Sequence, residues 1–244
     1  MGLMSQNIYD DPQFFQGYRQ LRRAVEGLSG AAEWPAIRAL LPDLRGLRVL
    51  DLGCGFGWFC RWALDQGAAE VVGIDVSENM LAQARAADPR ITYRRADLET
   101  LRLPRDSFDL VYSTLALHYL ENFAALVAEA HATLRRGGDF IFSIEHPIFM
   151  AARNTAWTVD TEGRRTWPVD GYSLEGPRRR KWFVDGVIKQ HRKLATTVNT
   201  LIDAGFELRR IDEWSPTDEQ IAHQPDLAED RERPIFLIVS ARRR

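Results

Sequence analysis

Asp51 is followed by glycines at positions 53, 55 and 57, in VLDLGCGFG, and two further carboxylates, Asp75 and Asp97, stand downstream. Each acid closes a short apolar run that reads as a strand, so the three would share one edge of a sheet where a ligand can approach. Glycines expose bare backbone to that ligand without naming it. A dinucleotide fingerprint needs a third glycine or alanine; counting from Gly53 puts Trp58 there, and counting from Gly55 puts Cys60. A triphosphate loop would need a lysine, and none occurs before Lys181. Asp51, directly before the loop, is awkward for an arriving pyrophosphate but suits a positive amino group. Asp75 can accept both hydroxyls of a ribose. Asp97 beside Leu98 offers an acceptor for an exocyclic amine next to an apolar wall. Ammonium, ribose and adenine together describe S-adenosylmethionine.

The elements that must position these residues follow from apolar periodicity. RVLDLG, EVVGIDV, ITYRRAD, DLVYSTLALHY and FIFSIEH read as successive strands. WFCRWALDQGA, NMLAQARAAD and FAALVAEAHATLRRGG read as helices between them, closed by glycine or Asp-Pro. Such alternation implies a parallel, doubly wound sheet. The rhythm breaks after Pro147 and returns with LATTVNTLIDAGF as a helix, ELRRIDEW as a strand and IFLIVSA as a last strand. Residues 147–193 are therefore read as an insertion over one end of the sheet.

In order and spacing, residues 45–145 resemble the class I S-adenosylmethionine-dependent methyltransferases, in particular the small-molecule branch similar to the ubiquinone and menaquinone biosynthesis enzymes. VLDLGCGFG resembles that family's first motif, GIDVSENML its ribose and adenine strand, RADLETLRLPRDSFDLVYSTLALHYL its third and fourth motifs, and LRRGGDFIFS its fifth. The resemblance implies an α/β, Rossmann-like seven-stranded sheet whose last strand is antiparallel, with the insertion after strand 5. It implies one domain, with an N-terminal lid (1–44), a cofactor core (45–146), a substrate cap (147–193) and a C-terminal helix with two strands (194–244). It also implies that Gly53, Cys54, Gly55 and Gly57 line the methionine part of S-adenosylmethionine, with Asp51 shaping the loop. Asp75 would hold the ribose, Val76 and Met80 the adenine faces, and Asp97 with Leu98 the adenine edge. Ser113 and Leu115 would flank the sulfonium, and Tyr9 or Tyr18 of the lid would close over it. Bland readings stand beside several of these: Asp97 as a helix N-cap, Met80 as core filling, and the tyrosines as simple packing.

His118, in LALHYL, and His146, in IEHPI, fall just past the fourth and fifth strands. Each is a candidate general base and each is equally a candidate wall residue. No metal is expected. From Arg164 to Lys193 nine Lys or Arg face three acids, a net +6 within a chain of net charge −2, which suits either a solvated basic face or the steering of an anionic acceptor. Trp157, Trp167, Tyr172 and Trp182 could line an aromatic pocket there.

At 244 residues and 45% hydrophobic content the chain can bury one sizeable core. Two cysteines, no signal-peptide pattern and no long apolar run point to the cytoplasm, with no membrane partner. The expected partner is a small-molecule acceptor, anionic or aromatic; oligomeric state leaves no mark on the sequence. A nucleic-acid methyltransferase is the second reading, disfavoured because YSTLALHY departs from the [DNS]PP[YFW] of amino-methylating DNA enzymes. A third is a regulatory protein that binds the cofactor without transferring.

Overall fold

The structure, a computed structural model, describes residues 6–244. The N-terminal segment is a set of short helices: α1 (Pro12–Tyr18), α2 (Arg22–Val25) and α3 (Trp34–Arg38). Pro12 occupies the first helical position of α1 and the Asp11 carboxylate accepts from the Phe14 N–H, which fixes its start.

The core then alternates as its periodicity implies: β1 (Arg48–Leu52), α4 (Trp58–Asp65), β2 (Glu70–Asp75), α5 (Glu78–Ala87), β3 (Thr92–Arg95), β4 (Phe108–Thr114), α6 (Phe123–Thr133) and β5 (Leu134–Glu145). LALHY is not strand, since β4 ends at Thr114 and Leu117–Tyr119 form a 3-10 turn. Nor does α6 run to the glycines. It stops at Thr133, and LRRGG enters β5 through a register shift between the pairs Phe108↔Leu134 and Leu110↔Asp139.

The inserted stretch has structure of its own: a short helix α7 (Pro147–Ala151), a small hairpin of β6 (Thr158–Val159) with β7 (Arg165–Thr166), and a longer one of β8 (Gly176–Trp182) with β9 (Val184–His191). After α8 (Leu194–Asp203) and β10 (Phe206–Glu213), the helices α9 (Asp218–His223) and α10 (Glu229–Glu232) precede β11 (Phe236–Arg243). These two helices were not foreseen.

Seven strands form one sheet in the order β10-β11-β5-β4-β1-β2-β3, with β1 to β5 parallel and β11 antiparallel to both neighbours. Helices cover both faces, so central strands are apolar on both sides: Leu50 and Leu52 pack with Val111, Phe140 and Leu237, while Val49 packs with Leu110, Ile141 and Ile238 on the other face. Each such buried side chain contributes about 1.5–3 kcal/mol. The tips of β1, β2, β4 and β5 are thereby held rigid along one edge. Over that edge the N-terminal segment meets the β8–β9 hairpin, through Ile8, Phe14 and Val187 packed with Tyr18 and Trp182.

Candidate active site

Along this edge lies a cavity of about 430 Å³. Its floor at one end is the turn after β1. Gly53 has φ +77 and a Cβ there would sit 2.3 Å from the Ala116 Cβ, so only glycine fits. Gly55 also has positive φ, but a Cβ on it would meet open space: its backbone is bare toward the cavity. The turn is held from below by Asp75, whose two carboxylate oxygens accept from the Gly55 N–H at 2.8 Å and the Ser77 N–H at 2.9 Å.

Asp51 is 2% exposed, and burial raises its carboxyl to about pH 7 against the opposing effect of the Cys60 thiol that donates to it at 3.3 Å; the nearby Asp75 charge adds to the rise. The second strand tip is closed from above by Asp10. Its carboxylate accepts from Ser77 Oγ at 2.6 Å, from Asn79 N at 3.1 Å and from Glu78 N at 3.3 Å, so the N-terminal segment caps α5 in trans.

Of the residues singled out in the sequence, Asp51, Gly53, Cys54, Gly55, Asp75, Val76 and Met80 line this cavity, as do Asp97, Leu98, Leu115, Tyr18 and His118. Leu115 holds φ +51, a strained conformation for a branched side chain, imposed where β4 ends and the Leu115 N–H donates to Ser143 O. Asp97 is no helix N-cap; it accepts from Glu99 N within a turn.

Three expected residues lie elsewhere. Gly57 precedes α4 as its N-cap with φ +70, and a Cβ on it would strike the Tyr93 hydroxyl at 2.2 Å, so its task is packing behind the loop. Ser113 is fully buried beneath the sheet edge, its hydroxyl donating to Leu52 O at 2.6 Å. His146 is 2% exposed with both ring nitrogens engaged, Nδ1 by the Ile148 N–H at the start of α7 and Nε2 by Glu213 at 2.8 Å. A base reading for His146 is set aside on that geometry.

At the other end of the cavity stand Trp182, read from the sequence as a pocket aromatic, Arg180 and Lys189 of the basic stretch, and two groups that sequence reading did not single out, Glu145 at the tip of β5 and Tyr119. Lys189 is 5% exposed, forms an ion pair with Glu145 and lies 4.5 Å from the Trp182 ring centre. Burial alone would raise the Glu145 carboxyl; the Lys189 ammonium overrides it and holds it below its usual range. Arg23 and Glu33, paired at 3.1 Å and 3.2 Å, line the cavity near Tyr18 and were also not foreseen.

Residues 50–142 match the family described as a methyltransferase domain. The chain is similar to an S-adenosylmethionine-dependent methyltransferase of known structure from Mesorhizobium loti, with 59% identity and a TM-score of 0.86 over 89% of this chain and 100% of that one. It belongs to the S-adenosylmethionine-dependent methyltransferases. Among its relatives is a malonyl-[acyl-carrier protein] O-methyltransferase from Enterobacter lignolyticus, 41% identical over 50% of this chain and 48% of that one. Another is a tRNA U34 carboxymethyltransferase from Hahella chejuensis, 30% identical over 77% of this chain and 54% of that one. The chain thus matches about half the length of each of these two. This methyltransferase uses S-adenosylmethionine, and among its described residues no helix is long and apolar enough to cross a membrane.

Proposed function

We propose that this methyltransferase acts on a small-molecule acceptor bound between the strand tips and the β8–β9 hairpin. The observation that carries the reading is how the basic insertion spends its charge. Arg178, Arg180 and Arg192 donate to backbone carbonyls, Arg165 pairs with Glu229 and Lys189 with Glu145. A nucleic-acid site would instead turn such residues outward to phosphates. Here they brace a cap, residues 147–193, over a closed pocket.

The residues present fit the cofactor. The bare backbone at Gly53 to Gly55 accommodates its methionine part, with Asp51 facing the amino group. Asp75 retains acceptor capacity beyond its bonds from the backbone N–H groups of Gly55, Ser77 and Val76, which would let it receive the ribose. Val76 and Met80 would hold the adenine, with Asp97 and Leu98 at its edge, and Leu115 and Tyr18 would flank the sulfonium, all of them lining the same cavity. When bound, the cofactor supplies an electrophilic methyl on sulfur. The protein's own part is alignment in a dry pocket, which can supply roughly 7–11 kcal/mol.

The test is transfer of a labelled methyl group to a pool of small metabolites, to total tRNA and to acyl-carrier protein in parallel. Label in a small metabolite is the expected result. Label confined to tRNA or to the carrier protein would overturn it, and the names of the two relatives make those the alternatives to include.

A further inference from the structure

The acceptor end of the cavity has an unequal inventory of polar groups. His118 lines it, and its Nδ1 accepts the Glu145 backbone N–H at 3.3 Å. A neutral imidazole that accepts at Nδ1 carries its proton on Nε2, and Nε2 has no hydrogen-bond partner among the described residues. His118 therefore offers the cavity an N–H and not a lone pair. Burial, with Lys189 and Arg192 close by and only Glu145 opposing, pushes its pKa down to about 3, so the ring is neutral across the working range. The reverse tautomer would strand the Glu145 N–H in the interior, a cost of about 1–3 kcal/mol.

No neighbour supplies a base in its place. Glu145 is neutralised by Lys189. The hydroxyls of Tyr9 and Tyr119 meet at 3.1 Å, and burial raises both, so they remain protonated. Arg180 spends its hydrogen bonds on the carbonyls of Met150, Ala152 and Arg153 and has no carboxylate within ion-pair distance among the described residues; Glu145 and Asp170 act on it only at longer range, so it adds a positive charge to the lining of this end. Exposed Lys181 adds another charge at the rim.

Resting on the function proposed above, we infer that the acceptor is a carboxylic acid taken as its anion, received by the His118 Nε2–H in the field of Arg180, and that the product is its methyl ester. One carboxylate oxygen forms the new O–C bond to the methyl carbon. The S–C bond breaks as this happens, and its electron pair returns to sulfur, turning the sulfonium into a neutral thioether. No proton moves, so no base is needed. A neutral alcohol acceptor would have to lose a proton that no group at this end is poised to take. His118 is thus reassigned from base to donor.

The experiment uses the whole protein saturated with S-adenosylhomocysteine. Calorimetry at neutral pH compares straight-chain acids from acetate to decanoate, and benzoate, each with its primary amide, which keeps the shape and loses the charge. At least one acid is expected to bind tenfold or more tightly than its amide, with that preference falling at least fivefold in Arg180→Gln. His118→Gln, which keeps an N–H, should stay within about threefold of the parent protein, whereas His118→Phe should lose the preference. Independently of any variant, nitrogen NMR of the histidine-labelled protein should show His118 as the neutral Nε2–H form from pH 5.5 to 9. Acids binding no better than amides while S-adenosylhomocysteine binds normally would overturn the inference, as would a His118 that titrates near 6.5 or protonates at Nδ1. Failure of S-adenosylhomocysteine to bind would instead overturn the reading of the cofactor site beneath it.

Discussion

Asp51 should couple cofactor binding to proton release. In the empty protein its carboxyl sits near pH 7, because burial and the Asp75 charge oppose ionisation more than the Cys60 thiol favours it. Against an unfolded value of about 3.9, the folded state holds the proton more tightly. Stability therefore falls as pH rises from about 4 to about 7, and the penalty is complete above that. Three pK units correspond to at most about 4 kcal/mol. If the cofactor's ammonium faces this carboxylate, binding draws the pKa back down, and at pH 6.5 roughly 0.7 of a proton should leave per cofactor bound. The assay is calorimetry of S-adenosylhomocysteine binding in buffers of different ionisation enthalpy, where the apparent enthalpy must vary with the buffer. Asp51→Asn keeps the shape and an acceptor for Cys60. It should abolish the buffer dependence, weaken binding about tenfold, and make the empty protein more stable at pH 8 by about 2–4 kcal/mol. Buffer-independent enthalpies in the parent protein, or no gain in stability at pH 8, would refute the reasoning.

Asp75→Ala should cost both affinity and stability, since it also strands the Gly55 and Ser77 N–H groups; Asp75→Asn keeps an oxygen for one of them and turns an NH2 donor toward the other, so binding there should weaken by about 2 kcal/mol and chemical denaturation should show a smaller loss than in the alanine variant. Asp10→Ala removes the cap on α5 and should cost about 1–2 kcal/mol, with hydrogen exchange rising in residues 8–18 and around Ser77 together. Lys189→Met or Glu145→Gln alone leaves one buried charge unpaired and should lower stability by about 3–5 kcal/mol, while the double variant recovers most of it; equal losses in single and double variants would deny the coupling. Leu115→Gly should relieve the strain of φ +51 and leave stability nearly unchanged despite losing a side chain, as a denaturant midpoint would show.

The end of the cavity lined by Asp51, Gly53, Gly55 and Asp75 was legible because it is local. Asp51, Gly53 and Gly55 lie within one turn, Asp75 closes the next strand, and the parallel register that brings Leu52 beside Ile74 follows from apolar runs that can be read directly. The pairings at the other end were not, because the partners lie far apart along the chain: Glu145 with Lys189, His118 with Glu145. His146 misled for a related reason. Its position after a strand tip suggested access, but a side chain there can as easily fold back to cap the helix that follows, and Ile148 N and Glu213 take both nitrogens.

The charge run RRRKW shows why periodicity alone could not recover the β8–β9 hairpin. In β8 the pattern alternates, with Arg178, Arg180 and Trp182 half-buried and Arg179 and Lys181 exposed. A strand normally announces its inward face by apolar residues at every second position. Here both faces are basic, so the alternation is written in what each arginine bonds to: Arg178 and Arg180 donate inward to the carbonyls of Ala151, Met150 and Ala152, which α7 leaves open at its C-terminal end. The helix end and the strand thus satisfy each other. An arginine serves there better than a lysine because its planar fork can reach several carbonyls at once while its stem packs along the strand. The same arrangement that hid the hairpin in the sequence is what holds Arg180 in the cavity lining on backbone carbonyls, without a carboxylate in ion-pair contact among the described residues.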